Sequence, residues 1–81
     1  MTTKDEARRA AEQLYSMDLA SQRLGMRIAE VAPGEASVLM TVGPDMTNGL
    51  GVCHGGFIFA LADSAFAFAC NSHGAATVAA G

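Results

Sequence analysis

Residues 48–63 read NGLGVCHGGFIFALAD, and this stretch decides the fold because a glycine-rich loop passes directly into a strongly apolar segment. The apolar run covers residues 57–70 and is interrupted in its middle by Asp63 and Ser64. It is shorter than the roughly 20 residues that a helix needs to cross a bilayer. A helix that is apolar on nearly every side must also be covered on nearly every side. We therefore predict a buried central helix at residues 55–72.

The segment before the loop, residues 1–25, is predicted to be helical because apolar side chains recur at three- and four-residue spacing. These side chains are Ala7, Ala10, Ala11, Leu14 and Tyr15. The opposite face, which includes Arg8, is expected to lie in solvent. Ser16 or Asp18 would cap a second short helical turn. Gly25 would end the segment, because glycine adopts the left-handed conformation without a steric penalty.

Residues 26–42 are predicted to form a β-hairpin. Residues 26–31 and 36–42 have the pattern of strands, and the sequence Ala-Pro-Gly-Glu between them is typical of a turn. Residues 43–54 show neither helical nor strand periodicity, so we expect a loop that leads into the central helix. A third extended segment starts at residues 75–81, where the sequence stops.

The order of these elements predicts an α+β fold in which residues 1–81 form a single domain, with a long central helix packed on an antiparallel β-sheet. Two strands and the start of a third cannot surround an apolar helix. We expect other chains or further polypeptide to supply the cover. Missing sequence is favoured, because the chain ends within an apolar segment and the domain is truncated after the start of the third strand.

The composition excludes several classes of function. The 81 residues carry five Lys and Arg against eight Asp and Glu, and no basic residue follows Arg27, which argues against nucleic-acid binding. The N-terminus MTTKDEARR lacks the apolar core of a secretory signal. Two cysteines are too few for a disulfide scaffold, so we expect a cytoplasmic, reducing location. The apolar run is too short to cross a bilayer, so we expect no membrane association. A chain this short completes a core with difficulty, so we also expect a homo-oligomer.

Gly55, Gly56 and Asp63 are the candidate catalytic residues. The two glycines open the central helix, where backbone N–H groups at the positive end of the helix dipole can bind an anion or an oxyanion. Alternatively, they only make a tight turn. A carboxylate in the middle of an apolar helix must be desolvated, paired, hydrogen-bonded or functional. Asp63 is then either a general base or nucleophile, or a structural group bonded to the backbone or to Ser64.

The spacing of Gly55 and Asp63 limits how they can meet. They lie eight residues apart in the sequence, which is about 12 Å along one helix. One helix therefore cannot place its own carboxylate beside its own N-terminal donors. Two copies that lie antiparallel about a two-fold axis can do so. If these residues form an active site, that site is shared between two subunits.

Cysteine and histidine recur at both ends of the central helix, as Cys53-His54 and as Cys70 with His73. A helix of about 24 Å separates the two pairs, whereas the ligands of a zinc ion converge on one point. We therefore predict no metal site. A Cys53-His54 nucleophile pair is also weak, because adjacent side chains usually point apart. We expect His54 to form hydrogen bonds in the loop, either as a helix cap or in contact with a substrate.

Residues 48–74, NGLGVCHGGFIFALADSAFAFACNSHG, resemble the signature of the hotdog-fold acyl-CoA thioesterases, in particular the phenylacetate-degradation thioesterase group. The similarity includes the Asn-Gly loop, the His-Gly-Gly helix opening, the Asp two turns later and the Asn-Ser at the helix end. The N-terminal helix ending in Leu-Gly and the hairpin are similar as well. The resemblance implies a hotdog fold, in which an antiparallel sheet wraps a long helix and dimers often pair into tetramers.

The same resemblance implies roles for the site residues. Gly55 would polarise a thioester carbonyl through its backbone N–H. Asn48 and His54 would line the same substrate pocket, beside Gly56. Asp63 of the other subunit would activate water or attack the carbonyl directly. The substrate would be an aryl- or medium-chain acyl-CoA of the phenylacetyl-CoA type, and the products a carboxylic acid and coenzyme A, without a metal or other cofactor.

Two other functions stay open at this stage. A non-catalytic hotdog module would bind acyl thioesters, or only scaffold an oligomer, and would keep the glycines for packing. A hydratase-like enzyme is less favoured, because the helix lacks the Asp-His pair that such an enzyme would carry. Members of the thioesterase family continue for several strands past the last residue of this sequence, and those strands supply part of the coenzyme A and acyl pocket.

Overall fold

The computed structural model of the protein describes residues 2–72. Along this range the elements are α1 (Lys4–Met17), α2 (Leu19–Arg23), β1 (Arg27–Ala32), β2 (Glu35–Leu39), a 3₁₀ turn (Pro44–Met46) and α3 (Gly55–Asn71). Helix α3 packs against the hairpin and against α1. This arrangement confirms the prediction of a central helix on an antiparallel sheet. The extended segment predicted at residues 75–81 lies outside the described residues.

Capping side chains set the ends of the two N-terminal helices. Thr3 and Glu6 form a reciprocal capping box at the start of α1, with the Glu6 N–H 3.1 Å from Thr3 Oγ1. Hydrogen bonds from the Thr3 backbone and side chain hold the pKa of the Glu6 carboxyl below its usual value. Asp18 caps α2 by accepting the N–H of Ser21 at 3.0 Å. Gly25, with φ of 71°, then turns the chain into β1.

The hairpin is joined by a two-residue turn in which Gly34 has φ of 77°. The pairing runs from Ala32↔Glu35 to Arg27↔Leu39. Strand β2 therefore ends three residues before the predicted residue 42. The reason is that β1 offers no partner before Arg27, since the preceding residues fold back onto α2 through the hydrogen bond from the Met26 N–H to the Ser21 carbonyl.

The expectation that Arg8 lies in solvent is wrong in part. The register of the hairpin shifts between Ile28 and Glu30, which turns two β1 carbonyls toward α1. Arg8 donates Nη2 to the Ile28 carbonyl at 3.3 Å and Nη1 to the Ala29 carbonyl at 3.2 Å. Its Nε pairs with Glu12 at 2.7 Å. Arg8 thus ties α1 to the irregular part of β1.

The core lies between α1, the hairpin and the inner face of α3. Its buried members are Ala7, Ala11, Val31 and Phe68, and Leu14, Tyr15, Ile28, Ala36 and Val38 pack around them. The Phe68 side chain is fully buried, and its ring centroid lies 6.0 Å from that of Tyr15. Tyr15 Oη in turn donates to the Met26 carbonyl at 2.6 Å. This small core holds α3 by one side.

Both ends of α3 are joined to other parts of the chain. At the start, the His54 N–H donates to the Met46 carbonyl at 2.7 Å. At the end, the Gly34 N–H of the hairpin turn donates to Ser72 Oγ at 2.7 Å, and Ser72 is buried. Within residues 2–72, α3 is covered only on its inner face, as expected, because the two described strands are too few to enclose it.

Candidate active site

The start of α3 is shaped by His54, which is its N-cap residue. His54 Nδ1 accepts the backbone N–H of Gly56 at 3.1 Å. The imidazole therefore acts as the capping acceptor that Ser, Thr or Asp more often provides, and a neutral ring in this arrangement carries its proton on Nε2. The N–H of Gly56, which was expected to be an open donor, is used by this cap.

The backbone N–H of Gly55 differs from that of Gly56. Gly55 is the first residue of α3 and is exposed. Among residues 2–72 its N–H meets no hydrogen-bond acceptor. A methyl group built on its Cα would touch nothing within 4 Å in the described part of the chain. Gly55 thus presents an accessible donor at the positive end of the helix dipole, where a developing oxyanion is stabilised.

Asn48 organises the loop that leads to this helix start. Its Oδ1 accepts the N–H of Leu50 at 2.9 Å and that of Val52 at 3.4 Å. Its own backbone N–H donates to the Val52 carbonyl at 2.8 Å. Gly51, with φ of 79°, allows the tight return of the chain. The side-chain oxygen that was predicted to line a substrate pocket is therefore engaged in the loop that holds His54 and Gly55.

Asp63 lies on the outer part of α3 and is exposed. Within the described part of the chain it makes no hydrogen bond and no ion pair. Of the alternatives drawn from the sequence, a desolvated, paired or hydrogen-bonded Asp63 is therefore not seen within residues 2–72, and its functional role stays a prediction. Ser64 is not its partner either, since the Ser64 hydroxyl lies 2.7 Å from Ser21 Oγ.

Gly55 and Asp63 belong to the same uncovered face of α3. At about 100° per residue, Gly55, Phe59 and Phe66 line the middle of this face and Asp63 lies on its flank. The two phenylalanine side chains are 74% and 61% exposed. The structure brings His54 and the two glycines together at one end of the helix and leaves Asp63 two turns away. The predicted site therefore has a hydrogen-bond donor at Gly55 and a carboxylate at Asp63, but the two are not in contact within residues 2–72.

A hollow of about 170 Å³ lies beside Asp63, between α2 and α3. Its walls include Asp18, Ser21, Met26 and Ser64. The two serines and Asp18 form a hydrogen-bonded chain, which the sequence reasoning missed as a unit. Only the capping pattern of Asp18 was visible in the sequence, since the Ser21–Ser64 contact joins residues that lie 43 positions apart.

The described residues contain neither a cluster of metal ligands nor a membrane-spanning helix. Residues 2–72 hold no group of three or more His, Cys, Asp or Glu side chains that could bind a metal ion. Cys53 precedes α3 and Cys70 lies in its last turn, so the helix separates them, and His73 lies outside the described residues. No helix in the described part of the chain has both the length and the apolar character needed to cross a bilayer.

Comparisons with known proteins agree with this architecture. The chain is 49% identical over 69 residues to the acyl-coenzyme A thioesterase PaaI of Escherichia coli (strain K12), a match covering 85% of this chain and 49% of that protein. It is 47% identical over 66 residues to a candidate esterase of Archaeoglobus fulgidus, covering 82% of this chain and 43% of the relative. No protein-family model matches the chain.

A solved structure gives the same result for the fold. The structure of the E. coli PaaI protein from the phenylacetic acid degradation operon matches with a TM-score of 0.86 at 43% identity, covering 89% of this chain and 52% of that one. The chain thus spans about half the length of the curated relatives it matches. Over most of its own length, this chain is a homologue of the hotdog-fold thioesterase PaaI.

Proposed function

We propose that the protein hydrolyses the thioester of an aryl- or medium-chain acyl-CoA, of the phenylacetyl-CoA type, to the carboxylic acid and coenzyme A. The observation that carries this proposal is the accessible N–H of Gly55 at the start of α3. A fixed amide donor at this position polarises a thioester carbonyl and stabilises the oxyanion that forms on it. The name of the E. coli relative and the operon named for its structure support the substrate class.

Asp63 of a second subunit is proposed as the group that starts the reaction. As a general base it takes a proton from water while the water oxygen bonds to the carbonyl carbon. The tetrahedral intermediate then collapses, the carbon–sulfur bond breaks, and the proton passes to the departing thiolate. As a nucleophile, its oxygen bonds to the carbonyl carbon, the carbon–sulfur bond breaks, and coenzyme A leaves as a thiolate that takes a proton from solvent. Water then hydrolyses the resulting mixed anhydride to the carboxylic acid and restores the Asp63 carboxylate. Both routes place the oxyanion at Gly55.

The arrangement of α3 supports a site shared between subunits. Gly55 and Asp63 occupy one face of the helix and lie about 12 Å apart along it. An antiparallel second copy of α3 brings each carboxylate to the other helix's N-terminus. The exposed Phe59 and Phe66 side chains give this face the apolar character that a subunit contact buries. We propose a homodimer or homotetramer built in this way.

A cytoplasmic location is also part of the proposal. Cys53 and Cys70 sit at opposite ends of α3, and about 25 Å of helix separates them, which is too far for a disulfide within one chain. Two cysteines are too few for a disulfide scaffold, and proteins without such a scaffold are typical of reducing compartments. Fractionation of cells that produce the tagged full-length protein tests this point.

Thiol release from a panel of acyl-CoA compounds tests the proposed activity, with the full-length protein and its Asp63→Asn variant side by side. We expect phenylacetyl-CoA and its hydroxylated forms to be hydrolysed, and the substitution to lower kcat by at least about 10²-fold, as for loss of a general base. Asp5→Asn, which removes an exposed carboxylate from the first turn of α1, is the matched control and should keep full activity.

Two results would contradict this function. Turnover that is unchanged by Asp63→Asn would remove the proposed chemistry. Binding of acyl-CoA by a folded protein that releases no thiol would instead support the non-catalytic acyl-thioester-binding module.

Mixing two inactive variants tests the shared site. Random association of Asp63→Asn with Gly55→Pro subunits places both defects in one site of each mixed dimer and leaves the other site intact. About a quarter of wild-type activity should return when the sites are shared between subunits. If each site is built from one chain, no activity returns.

A further inference from the structure

Helices α2 and α3 are joined by a short chain of side-chain hydrogen bonds. Ser21 Oγ lies 2.5 Å from Asp18 Oδ2 and 2.7 Å from Ser64 Oγ. An ionised carboxylate can only accept, so the single Ser21 hydroxyl proton goes to Asp18. Ser64 must then donate its own proton to Ser21 Oγ. The order of donors is therefore fixed, from Ser64 through Ser21 to Asp18.

This chain of hydrogen bonds has a buried centre that is bonded twice to Asp18. Ser21 is 1% exposed. Asp18 holds it twice, since the Ser21 backbone N–H also donates to Asp18 Oδ1 at 3.0 Å. A buried polar group that loses its partner costs free energy, so each member restrains the others. The Ser64 hydroxyl is thus tied to a fixed point at the start of α2.

Other contacts between α2 and α3 are few. The walls of the hollow between the helices combine the small Ala20, Ala60 and Ala67 with the larger Leu24 and Met26. The core around Phe68 holds the inner face of α3, and the Ser64 hydroxyl adds a directional contact to α2 at the middle of the helix. Successive residues on a helix point about 100° apart, so the direction of Ser64 fixes that of Asp63.

We propose that the Asp18–Ser21–Ser64 chain is a positioning device for Asp63: it holds the inner side of α3 against α2 and so aims the neighbouring carboxylate along the uncovered face toward the second subunit. This inference rests on the proposed function and adds three residues to it. None of the three touches the reacting atoms. Ser21 and Ser64 act through the orientation of the helix, and Asp18 acts by holding Ser21.

Steady-state kinetics of the full-length protein with phenylacetyl-CoA tests the proposal. Ser64→Ala should lower kcat about tenfold with little change in KM, because misplacement of a catalytic group weakens the chemical step more than binding. Ser64→Thr, which keeps a hydroxyl, should restore most of the lost rate. The double variant Ser21→Ala/Ser64→Ala should be no slower than the slower single variant, because both substitutions break the same chain.

Ser72→Ala is the matched control. Ser72 also joins α3 to another element, through the Gly34 N–H at 2.7 Å, but it lies nine residues beyond Asp63. Its loss should lower the thermal midpoint about as much as Ser64→Ala and leave kcat unchanged. If both variants lose activity in proportion to their stability, or if neither does, the positioning role is overturned.

A measurement that does not depend on turnover separates this proposal from the proposed function. Crystal structures of the full-length wild type, Ser64→Ala and Ser72→Ala should show the Asp63 carboxylate displaced by more than about 0.5 Å only in Ser64→Ala. A displaced carboxylate in a protein that hydrolyses no thioester would retain the positioning role and overturn the function. An undisplaced carboxylate in an active enzyme would overturn the positioning role alone.

Discussion

The inner and outer faces of α3 differ in burial and in hydrogen bonding. The inner face holds Phe68, which is fully buried, and the Ser64 and Ser72 hydroxyls, each bonded to another element. The outer face holds an open N–H at Gly55, an exposed carboxylate at Asp63 and phenylalanines that contact little else in the described chain. Within residues 2–72, groups on the inner face are packed or hydrogen-bonded, whereas the Gly55 N–H and the Asp63 carboxylate on the outer face have no hydrogen-bond partner. The inner face therefore provides stability and the outer face is available for function.

The largest expected difference in stability comes from truncating one phenylalanine on each face. Phe68→Ala should cost about 3–5 kcal/mol in free energy of unfolding, because it empties the centre of the core. Phe66 is 61% exposed, so Phe66→Ala should cost far less within the subunit and should instead weaken subunit association. Denaturant unfolding and analytical ultracentrifugation of the full-length variants separate the two effects. Equal losses of subunit stability would show that the two faces do not differ.

A medium effect is expected in the loop before α3. Asn48→Ala removes the acceptor of two loop N–H groups and should cost about 1–2 kcal/mol in free energy of unfolding. Asn48→Asp keeps the acceptor oxygen and should keep most of that stability. Urea titration of the two variants makes the comparison. If Asn48→Ala is as stable as the wild type and only KM rises, Asn48 contacts substrate and does not organise the loop.

The smallest effect is expected at the α1 cap, far from both faces of α3. Thr3→Ala breaks the capping box and should cost about 1 kcal/mol. The bonds from Thr3 lower the pKa of Glu6 in the folded state, so their stabilisation is present above the unfolded pKa of Glu6 and is lost as the pH falls through the lower folded value. Thermal melts between pH 3 and 7 should show this loss in the wild type. A Thr3→Ala variant with the same pH dependence would contradict the assignment.

Local signals explain what could be predicted from the sequence. The start of α3 follows from a helix-opening glycine pair after a loop, and the Asp18 cap follows from the preference of Asp for that position. The packing of an apolar helix on a hairpin follows from hydrophobic patterning. Each of these features depends on residues that are close together in the sequence.

Features that depend on distant residues could not be predicted. Ser64 pairs with Ser21 rather than with Asp63, and Arg8 reaches two β1 carbonyls at the register shift of the hairpin. The surroundings of Asp63 also depend on distant groups. A carboxylate in an apolar helix suggests burial, but residues 2–72 do not supply the cover that would bury it.

The role of the Gly55 N–H as the oxyanion donor is tested by comparing Gly55→Pro with Gly55→Ala in the full-length protein. Proline is tolerated at the first helical position, and His54 already has the extended backbone, φ −62° and ψ 134°, that a following proline requires. Gly55→Pro therefore removes the N–H and leaves α3 intact, whereas Gly55→Ala keeps the N–H and adds a methyl group that meets nothing within 4 Å among residues 2–72.

Hydrolysis of phenylacetyl-CoA by the two variants, each shown to be folded by circular dichroism, gives the answer. We predict that Gly55→Pro lowers kcat by about 10²–10³-fold, as for loss of an oxyanion donor, and that Gly55→Ala retains at least about ten times more activity than Gly55→Pro. Equal activity in two folded variants would contradict the oxyanion role of Gly55, because its open N–H would then have no part in the reaction.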